Sequence, residues 1–147
     1  VGAGEHGQIG EVDVVTDPVK AAEGAALVLT MVSFGPDRQS VPAEAFREDA
    51  TIVAVDYDMC VPASVAKKAA LFLTDDREQY LANRTDTQFA GYPEPNAMIG
   101  EGIAAGTPRP EGRALVTHLG AGLADVVFGD AILRLAAAQD IGTILER

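Results

Sequence analysis

The chain has 147 residues, and its 22 acidic side chains outnumber the 11 basic ones, which gives a formal charge of −11. The length fits one domain or one large piece of a longer chain, and the hydrophobic fraction of 48% indicates a folded protein. The acidic excess argues against nucleic acids and anionic membranes as partners. The single cysteine, Cys60, excludes an internal disulfide, and neither a signal peptide nor a membrane span is visible, so we expect a cytoplasmic location.

The first predicted elements are a strand, a helix and a second strand. Residues 11–16 show partial alternation of apolar residues, which indicates a strand. Asp17 and Pro18 suit the N-cap and first position of a helix, and Gly24 suits its end. Residues 25–32 form a near-continuous apolar run, which is typical of a strand buried on both faces.

The middle of the chain repeats this alternation. A turn-rich loop over residues 33–42 leads into a short helix over 43–48. Residues 51–55 predict another buried strand, followed by a helix over 62–70 and a short strand over 71–74. The acidic pair Asp75 and Asp76 suits the start of a helix that ends near residue 83.

The last third contains the longest predicted helix. After a loop over 91–95, residues 96–105 predict a helix with Asn96 as its cap, and residues 113–118 predict a strand. Apolar residues surround most of the helix predicted over 123–139, which indicates burial on more than one side. Asp125 suits its first turn. The tail, residues 141–145, predicts a short strand or an extended end.

About five strands alternating with helices predict an α/β fold with a doubly wound, mostly parallel sheet. Its first strand is not obvious, so we expect the sheet to be incomplete at its N-terminal end. We divide the chain into a Gly-rich flexible start, residues 1–10, and an α/β portion, residues 11–147. The start at Val1 rather than Met also leads us to expect a processed product or a fragment.

Residues 2–7 match the dinucleotide fingerprint G-x-G-x-x-G, but their context does not. That motif needs a strand before it and a helix after it. Only Val1 precedes it, and the short stretch before the predicted strand at residue 11 leaves no room for a helix. We therefore interpret the segment as a Gly-rich connection, with His6 as a loop histidine.

Chemistry is expected beyond the carboxyl ends of the strands, where open α/β sheets bind ligands. Asp56 follows a buried strand, where desolvation would raise its pKa and suit it to proton transfer. Alternatively, Asp56 or Asp58 caps a helix or makes a turn. His118 is a candidate general base or cofactor contact, or a hydrogen-bonded structural residue. Gly120 allows the backbone to approach a ligand closely, or forms a tight turn.

Other chemistries have little support in the sequence. There is no H-x-x-x-H or C-x-x-C pattern for a metal, and Asp56 with Asp58 alone would make only a weak site for a hard cation. Neither a G-x-S-x-G nucleophile elbow nor a P-loop occurs, and Cys60 has no nearby base. We therefore predict no metal site.

Four stretches in this order and spacing resemble the ornithine cyclodeaminase/mu-crystallin family. They cover most of the chain from about residue 11, with the tail DIG as a further match, and they are residues 17–32, 51–69, 71–79 and 113–125. The resemblance implies a Rossmann-like NAD(P)-binding domain that forms the carboxyl-terminal portion of a longer subunit. It also implies an oxidoreductase or deaminating cyclase that acts on a small amino acid or cyclic imine, as a homo-oligomer of the full-length subunit.

The resemblance also assigns residues. The family's functional aspartate matches Asp56, which is thereby the predicted catalytic residue. The predicted cofactor contacts, to NAD or NADP, follow three strands and are Met31, Val32, Ser33, Val55, His118, Leu119 and Gly120. The mu-crystallin branch leaves a non-catalytic ligand-binding protein as an alternative, and a plain α/β interaction domain is a third possibility.

Three departures from the family pattern leave the substrate open. The family's Pro-Gly-Lys-like stretch after the aspartate reads YDMC here, from residue 57 to 60, and contains no lysine. The turn that often reads Lys-Ser-x-Gly is THLG, from residue 117 to 120. Ala124 stands where the family has an acidic residue.

Overall fold

The computed structural model describes residues 12–35, 38, 41–143 and 145. Its five strands form one sheet in which every neighbouring pair is parallel. In chain order they are β1 (Leu27–Thr30), β2 (Thr51–Ala54), β3 (Leu71–Thr74), β4 (Ala97–Met98) and β5 (Ala114–Thr117). Their order in space is β1-β2-β5-β3-β4, so the last strand lies between β2 and β3. The predicted Rossmann-like α/β fold with a parallel, open sheet is confirmed.

The described ranges also contain five α-helices and one 3₁₀ helix, Ala43–Ala45. The α-helices are α1 (Pro18–Ala22), α2 (Ala63–Lys68), α3 (Arg77–Asn83), α4 (Ile99–Ala104) and α5 (Gly122–Ala138). The predicted start of α1 is confirmed, since the Asp17 carboxylate accepts the N–H of Val19 at 2.9 Å. Asp125 lies in the first turn of α5, as predicted. None of the helices in the described residues is long and apolar enough to cross a membrane.

The two faces of the sheet are covered unequally. On one face, Ile52, Leu115 and Phe72 lie side by side on β2, β5 and β3, and all three are fully or almost fully buried. Buried side chains from α2 and α3, such as Val65 and Tyr80, complete the core on this face. On the opposite face, α4 lies over β3, while the β1 side carries exposed apolar residues.

One prediction about an extended segment is not supported. Residues 12–16 form no strand, and the side chains of Val12 and Val14 are exposed. Among the described residues, no strand or helix covers the alternating valines, so the pattern has no core to face there. In the tail, residues 141–143 form no strand, so of the two predictions for this segment only the extended end is left.

The prediction that Asn96 caps a helix is wrong. Asn96 instead precedes the short strand β4, and α4 begins at Ile99. The side-chain oxygen of Asn96 accepts the N–H of Phe72 at 2.7 Å, and its own N–H donates to the Phe72 carbonyl at 2.7 Å. Asn96 is therefore tied to β3 rather than to the helix.

The burial predicted for the longest helix is also wrong. No residue of α5 is buried, although its 17 residues are mostly apolar. Its large side chains are exposed on every side of the helix, with Leu123 at 73% and Phe128 at 69%. An apolar circumference leads to burial only where another element covers the helix, and none of the described residues buries a side chain of α5.

Candidate functional site

The residues that directly follow β1, β2 and β5 lie next to one another at the carboxyl edge of the sheet. The N–H of Val55 donates to the Thr30 carbonyl at 2.9 Å, and the N–H of His118 donates to the Ala54 carbonyl at 2.8 Å. The parallel pairing therefore continues one residue beyond each strand. The structure thus brings the segments of all seven predicted cofactor residues to one edge.

The side chains of these residues differ in exposure and polarity. Met31 and Val55 are 70% and 41% exposed, and they offer apolar surface at the edge. The imidazole of His118 is partly exposed, whereas Leu119 is buried. Met31 and Val32 also line a cavity of about 390 Å³ beside β1. Apolar surface with one nearby polar ring fits the flat ring of a nucleotide or nicotinamide.

Asp75 organises the turn after β5. Its Oδ2 atom accepts the N–H groups of Leu119 at 2.9 Å and Gly120 at 2.8 Å, and it lies 3.7 Å from Nδ1 of His118. The helix-capping role predicted for Asp75 is wrong, because Asp76 alone caps α3, with its carboxylate accepting a backbone N–H at 2.8 Å. Two consecutive aspartates follow β3, and an N-cap requires only one of them. The additional aspartate was the sequence signal for a second role.

Asp56 joins the ends of β1 and β2 from a buried position. Its Oδ1 atom accepts the hydroxyl of Thr30 at 2.8 Å, and its Oδ2 atom accepts the N–H of Val32 at 3.2 Å. Burial and the nearby Asp56 carboxylate both disfavour a thiolate at Cys60 and raise the pKa of Cys60 to about 12. This geometry fixes the loop after β1, and the catalytic role of Asp56 stays a prediction.

Asp58 faces a cavity of about 740 Å³ that opens beside the carboxyl edge. The carboxylate is buried, forms an ion pair with the guanidinium of Arg38, and accepts the N–H of Phe89 at 2.7 Å. The cavity is lined by residues from three loops, which are Phe34, Gly35, Arg38, Asp58, Met59, Asp86, Thr87 and Gln88. Sequence reasoning missed Arg38 and considered Asp58 only as a cap, a turn residue or a weak cation ligand.

Tyr57, which has a left-handed backbone conformation, separates the buried carboxylates of Asp56 and Asp58. Tyr57 has φ of +61°, and its ring lies 4.8 Å from the ring of Phe34 and 5.6 Å from that of Phe89. The turn at Tyr57 directs Asp56 toward β1 and Asp58 toward the loop that contains Phe89. Asp56 and Asp58 are therefore only two positions apart in the sequence, but Asp56 binds the loop after β1 and Asp58 lines the cavity.

Two further features concern ligands. Among the described residues, no group of three or more His, Cys, Asp or Glu side chains could hold a metal ion. The hydroxyl of Thr117, at the end of β5, is fully buried and has no hydrogen-bond partner in the described part of the chain. The Gly-rich residues 2–7 lie outside the described residues, so the fingerprint interpretation stays a prediction.

Comparisons with known proteins show the fold. No family model and no curated protein matches this chain. The crystal structure of CmnK superposes with a TM-score of 0.79 at 21% identity, over 92% of this chain and 43% of CmnK. A probable ornithine cyclodeaminase from Bordetella pertussis Tohama I superposes with a TM-score of 0.60 at 19% identity, over 87% of this chain and 44% of that protein. The chain thus spans less than half the length of either neighbour.

Proposed function

We propose that this chain is the NAD(P)-binding portion of an ornithine cyclodeaminase-like enzyme that acts on a small amino acid or cyclic imine. The observation that carries the proposal is the meeting of the predicted cofactor residues at one edge, beside a cavity that contains Arg38 and Asp58. The structural likeness to a probable ornithine cyclodeaminase supports the same function.

On the cofactor side, the chain supplies an apolar surface and an imidazole. NAD(P), when bound, supplies the acceptor and donor of hydride. The exposed side chains of Met31 and Val55 would pack against its ring, and the His118 imidazole, whose Nδ1 atom lies 3.7 Å from Asp75, would lie beside them. The open space around Gly120 allows a ligand to approach the backbone closely.

On the substrate side, the cavity offers two opposite charges. Arg38 and Asp58 form an ion pair with each other, and a substrate that displaces this contact would place its carboxylate on the Arg38 guanidinium and its ammonium or imine nitrogen on the Asp58 carboxylate. An α-amino acid carries both groups on adjacent atoms. We therefore assign substrate binding to this pair, with Asp56 holding the loop after β1 in position.

Titration of the chain with NADH and NADPH by calorimetry tests the cofactor proposal. We expect one of them to bind, and the variant His118→Ala to weaken binding by about tenfold because a ring contact is lost. Ile103→Ala on α4 is the matched control, since Ile103 is exposed and outside the site. If neither nucleotide binds, the cofactor site of this chain alone is refuted.

An assay of the intact parent protein with L-ornithine and a cyclic imine tests the substrate proposal. We expect Asp58→Asn to lower kcat/KM at least a hundredfold, because the carboxylate that we propose to bind the substrate nitrogen loses its charge. Asp86→Asn, which also lines the cavity, is the control. An unchanged kcat/KM for the Asp58 variant would contradict its role.

A non-catalytic ligand-binding protein is the second candidate. It is favoured by the hydrogen bonds to both oxygens of Asp56 and by the ion pair of Asp58, which leave neither carboxylate unengaged. In that case Asp56→Asn and Asp58→Asn change the affinity for ligand, and the intact wild-type protein has no turnover to lose.

A further inference from the structure

The ion pair of Arg38 and Asp58 borders two cavities. Both residues line the cavity of about 740 Å³ described above, and both also line a second cavity of about 260 Å³. We call them the large cavity and the small cavity. The rest of the small cavity's lining carries no charge, and it consists of Val61, Pro62, Ala63, Ala90 and Tyr92. One pair of opposite charges therefore adjoins two spaces of different chemistry.

The two cavities lie on different sides of the ion pair. The large cavity is lined by Phe34 and Gly35, which directly follow the predicted cofactor residues that end at Ser33. The small cavity has no lining residue from this segment apart from Arg38, and its other walls come from the start of α2 and from the chain around Ala90. The large cavity is therefore on the proposed cofactor side, and the small cavity is on the α2 side.

We propose that the small cavity holds the side chain of an amino-acid substrate. The inference rests on the proposed function, in which the substrate carboxylate binds Arg38 and the substrate nitrogen binds Asp58. The α-carbon then has two further substituents, which are its hydrogen and its side chain. The hydrogen to be transferred has to face the cofactor, so it points toward the large cavity. The side chain points to the other side of the ion pair, into the small cavity.

The lining of the small cavity selects a short, uncharged side chain. Its one carboxylate, on Asp58, is taken by the substrate nitrogen in this placement, and the hydroxyl of Tyr92 already donates to the Val61 carbonyl. A second ammonium in the small cavity would lose water without gaining an acidic partner. Apolar carbons gain free energy when they leave water for the same space.

A lysine at the rim of the small cavity adds repulsion against a second positive charge. Gly91 directly follows the lining residue Ala90. A Cβ atom placed on Gly91 would lie 3.6 Å from Nζ of Lys67 and 3.7 Å from Cβ of Ala63, so the Lys67 ammonium is close to this rim. Among the described residues, Lys67 forms no ion pair that would neutralise it. The site thereby disfavours a substrate such as ornithine, whose side chain ends in an ammonium.

Calorimetry of the intact parent protein with three amino acids tests this inference. Glycine has no side chain, L-norvaline has an unbranched side chain of three carbons, and L-ornithine has the same three carbons with a terminal ammonium. We expect L-norvaline to bind about tenfold more tightly than glycine and at least tenfold more tightly than L-ornithine. The affinities are measured without turnover, so they do not depend on whether the protein is catalytic.

Two charge reversals on neighbouring lysines of α2 test the rim. Lys67→Glu should raise the affinity for L-ornithine at least tenfold and change the affinity for glycine by less than about twofold. Lys68→Glu is the matched control, because it makes the same charge change at an exposed position that lines a different cavity, beside Gly112. It should leave the preference for L-norvaline unchanged.

A third variant tests the location of the side chain. Ala63→Leu fills part of the small cavity, so it should lower the affinity for L-norvaline to about that for glycine. The affinity for glycine itself should stay unchanged, which also shows that the variant is folded.

The possible failures are distinguishable. If glycine binds and L-norvaline binds no more tightly, the substrate placement on Arg38 and Asp58 survives and the small cavity is not its side-chain site. If L-ornithine binds as tightly as L-norvaline, or if Lys67→Glu leaves its affinity unchanged, the inferred selectivity is refuted. If none of the three amino acids binds to the wild type, the substrate placement fails, and this inference fails with it.

Discussion

Cys60 lies in the core beside Asp56, where its thiol is protonated well beyond neutral pH. Burial and the adjacent carboxylate raise the pKa of Cys60 from 9.0 to about 12. The folded pKa thus lies above the unfolded one. The buried thiol therefore contributes stability that is complete below about pH 9 and is lost as the pH rises toward 12.

Urea unfolding between about pH 8 and pH 11 measures this contribution. We expect the free energy of unfolding of the wild type to fall more steeply with pH than that of Cys60→Ala, by up to about 1.4 kcal/mol per pH unit. Tyr80, whose pKa is also raised to about 12, is present in both proteins, so the difference isolates the thiol. Parallel curves would contradict the burial of Cys60.

Asp75 supports the turn after β5 through two backbone hydrogen bonds. Replacing it with Ala leaves the N–H groups of Leu119 and Gly120 without that acceptor, so we expect the free energy of unfolding to fall by about 2–3 kcal/mol. Asp13→Ala, at an exposed position in the irregular segment, should change it by less than about 0.5 kcal/mol. Equal effects of the two substitutions would argue against the anchoring role of Asp75.

The sequence separation between bonded residues determines which residue roles can be predicted. Roles that depend on nearby residues are predictable from the sequence, and roles that depend on distant residues are not. Asp17 caps α1 through a bond to a residue two positions away, and a local pattern is enough to predict it. Asp75 bonds to residues 44 and 45 positions away, and Asp58 bonds to Phe89 at 31 positions. Such contacts depend on strand order, which a local pattern does not contain.

At the scale of elements, Asn96 connects β3 to the short strand β4. Replacing Asn96 with Ala removes the acceptor of the Phe72 N–H, and we expect a loss of about 1–2 kcal/mol in the free energy of unfolding. Asn96→Asp keeps an acceptor oxygen at the same position and should recover most of this loss. Similar stabilities for Asn96→Ala and the wild type, measured in urea, would contradict the bond.

Strands buried in the sheet were predictable because apolar, branched runs rarely occur elsewhere. The predicted strands over residues 51–55 and 71–74 agree with β2 and β3 to within one residue. β4 was missed because it has only two residues, too few to show a period. The alternation in residues 12–16 predicted a strand where the structure has none, since a pattern cannot show whether a neighbour exists.

At the scale of the whole molecule, the charge of −11 repels itself when the chain folds. Raising NaCl from about 0.01 M to 0.2 M shortens the screening length from about 30 Å to below 10 Å. We expect Tm to rise by a few degrees, because the compact state gains most from screening. KCl should give the same rise, and a Tm that is constant or falls with either salt would contradict this expectation.

The sheet's central position is filled by the last strand in the sequence. The composition and alternation of the chain predict a parallel sheet, but they do not predict that β5 enters between β2 and β3. The predicted edge site follows from parallel strands alone, since their carboxyl ends meet in any order. The cavity with Arg38 and Asp58 depends on loops, which carry no periodic signal.

The position of β5 also sets the timing of folding during synthesis. Until residues 114–117 leave the ribosome, β1 with β2 and β3 with β4 are separate two-stranded pairs with no strand to join them. Two-stranded pairs are too small to be stable in water. This segment therefore lacks a stable sheet until β5 has been made, and a truncation before residue 114 would leave two separate strand pairs rather than a smaller sheet.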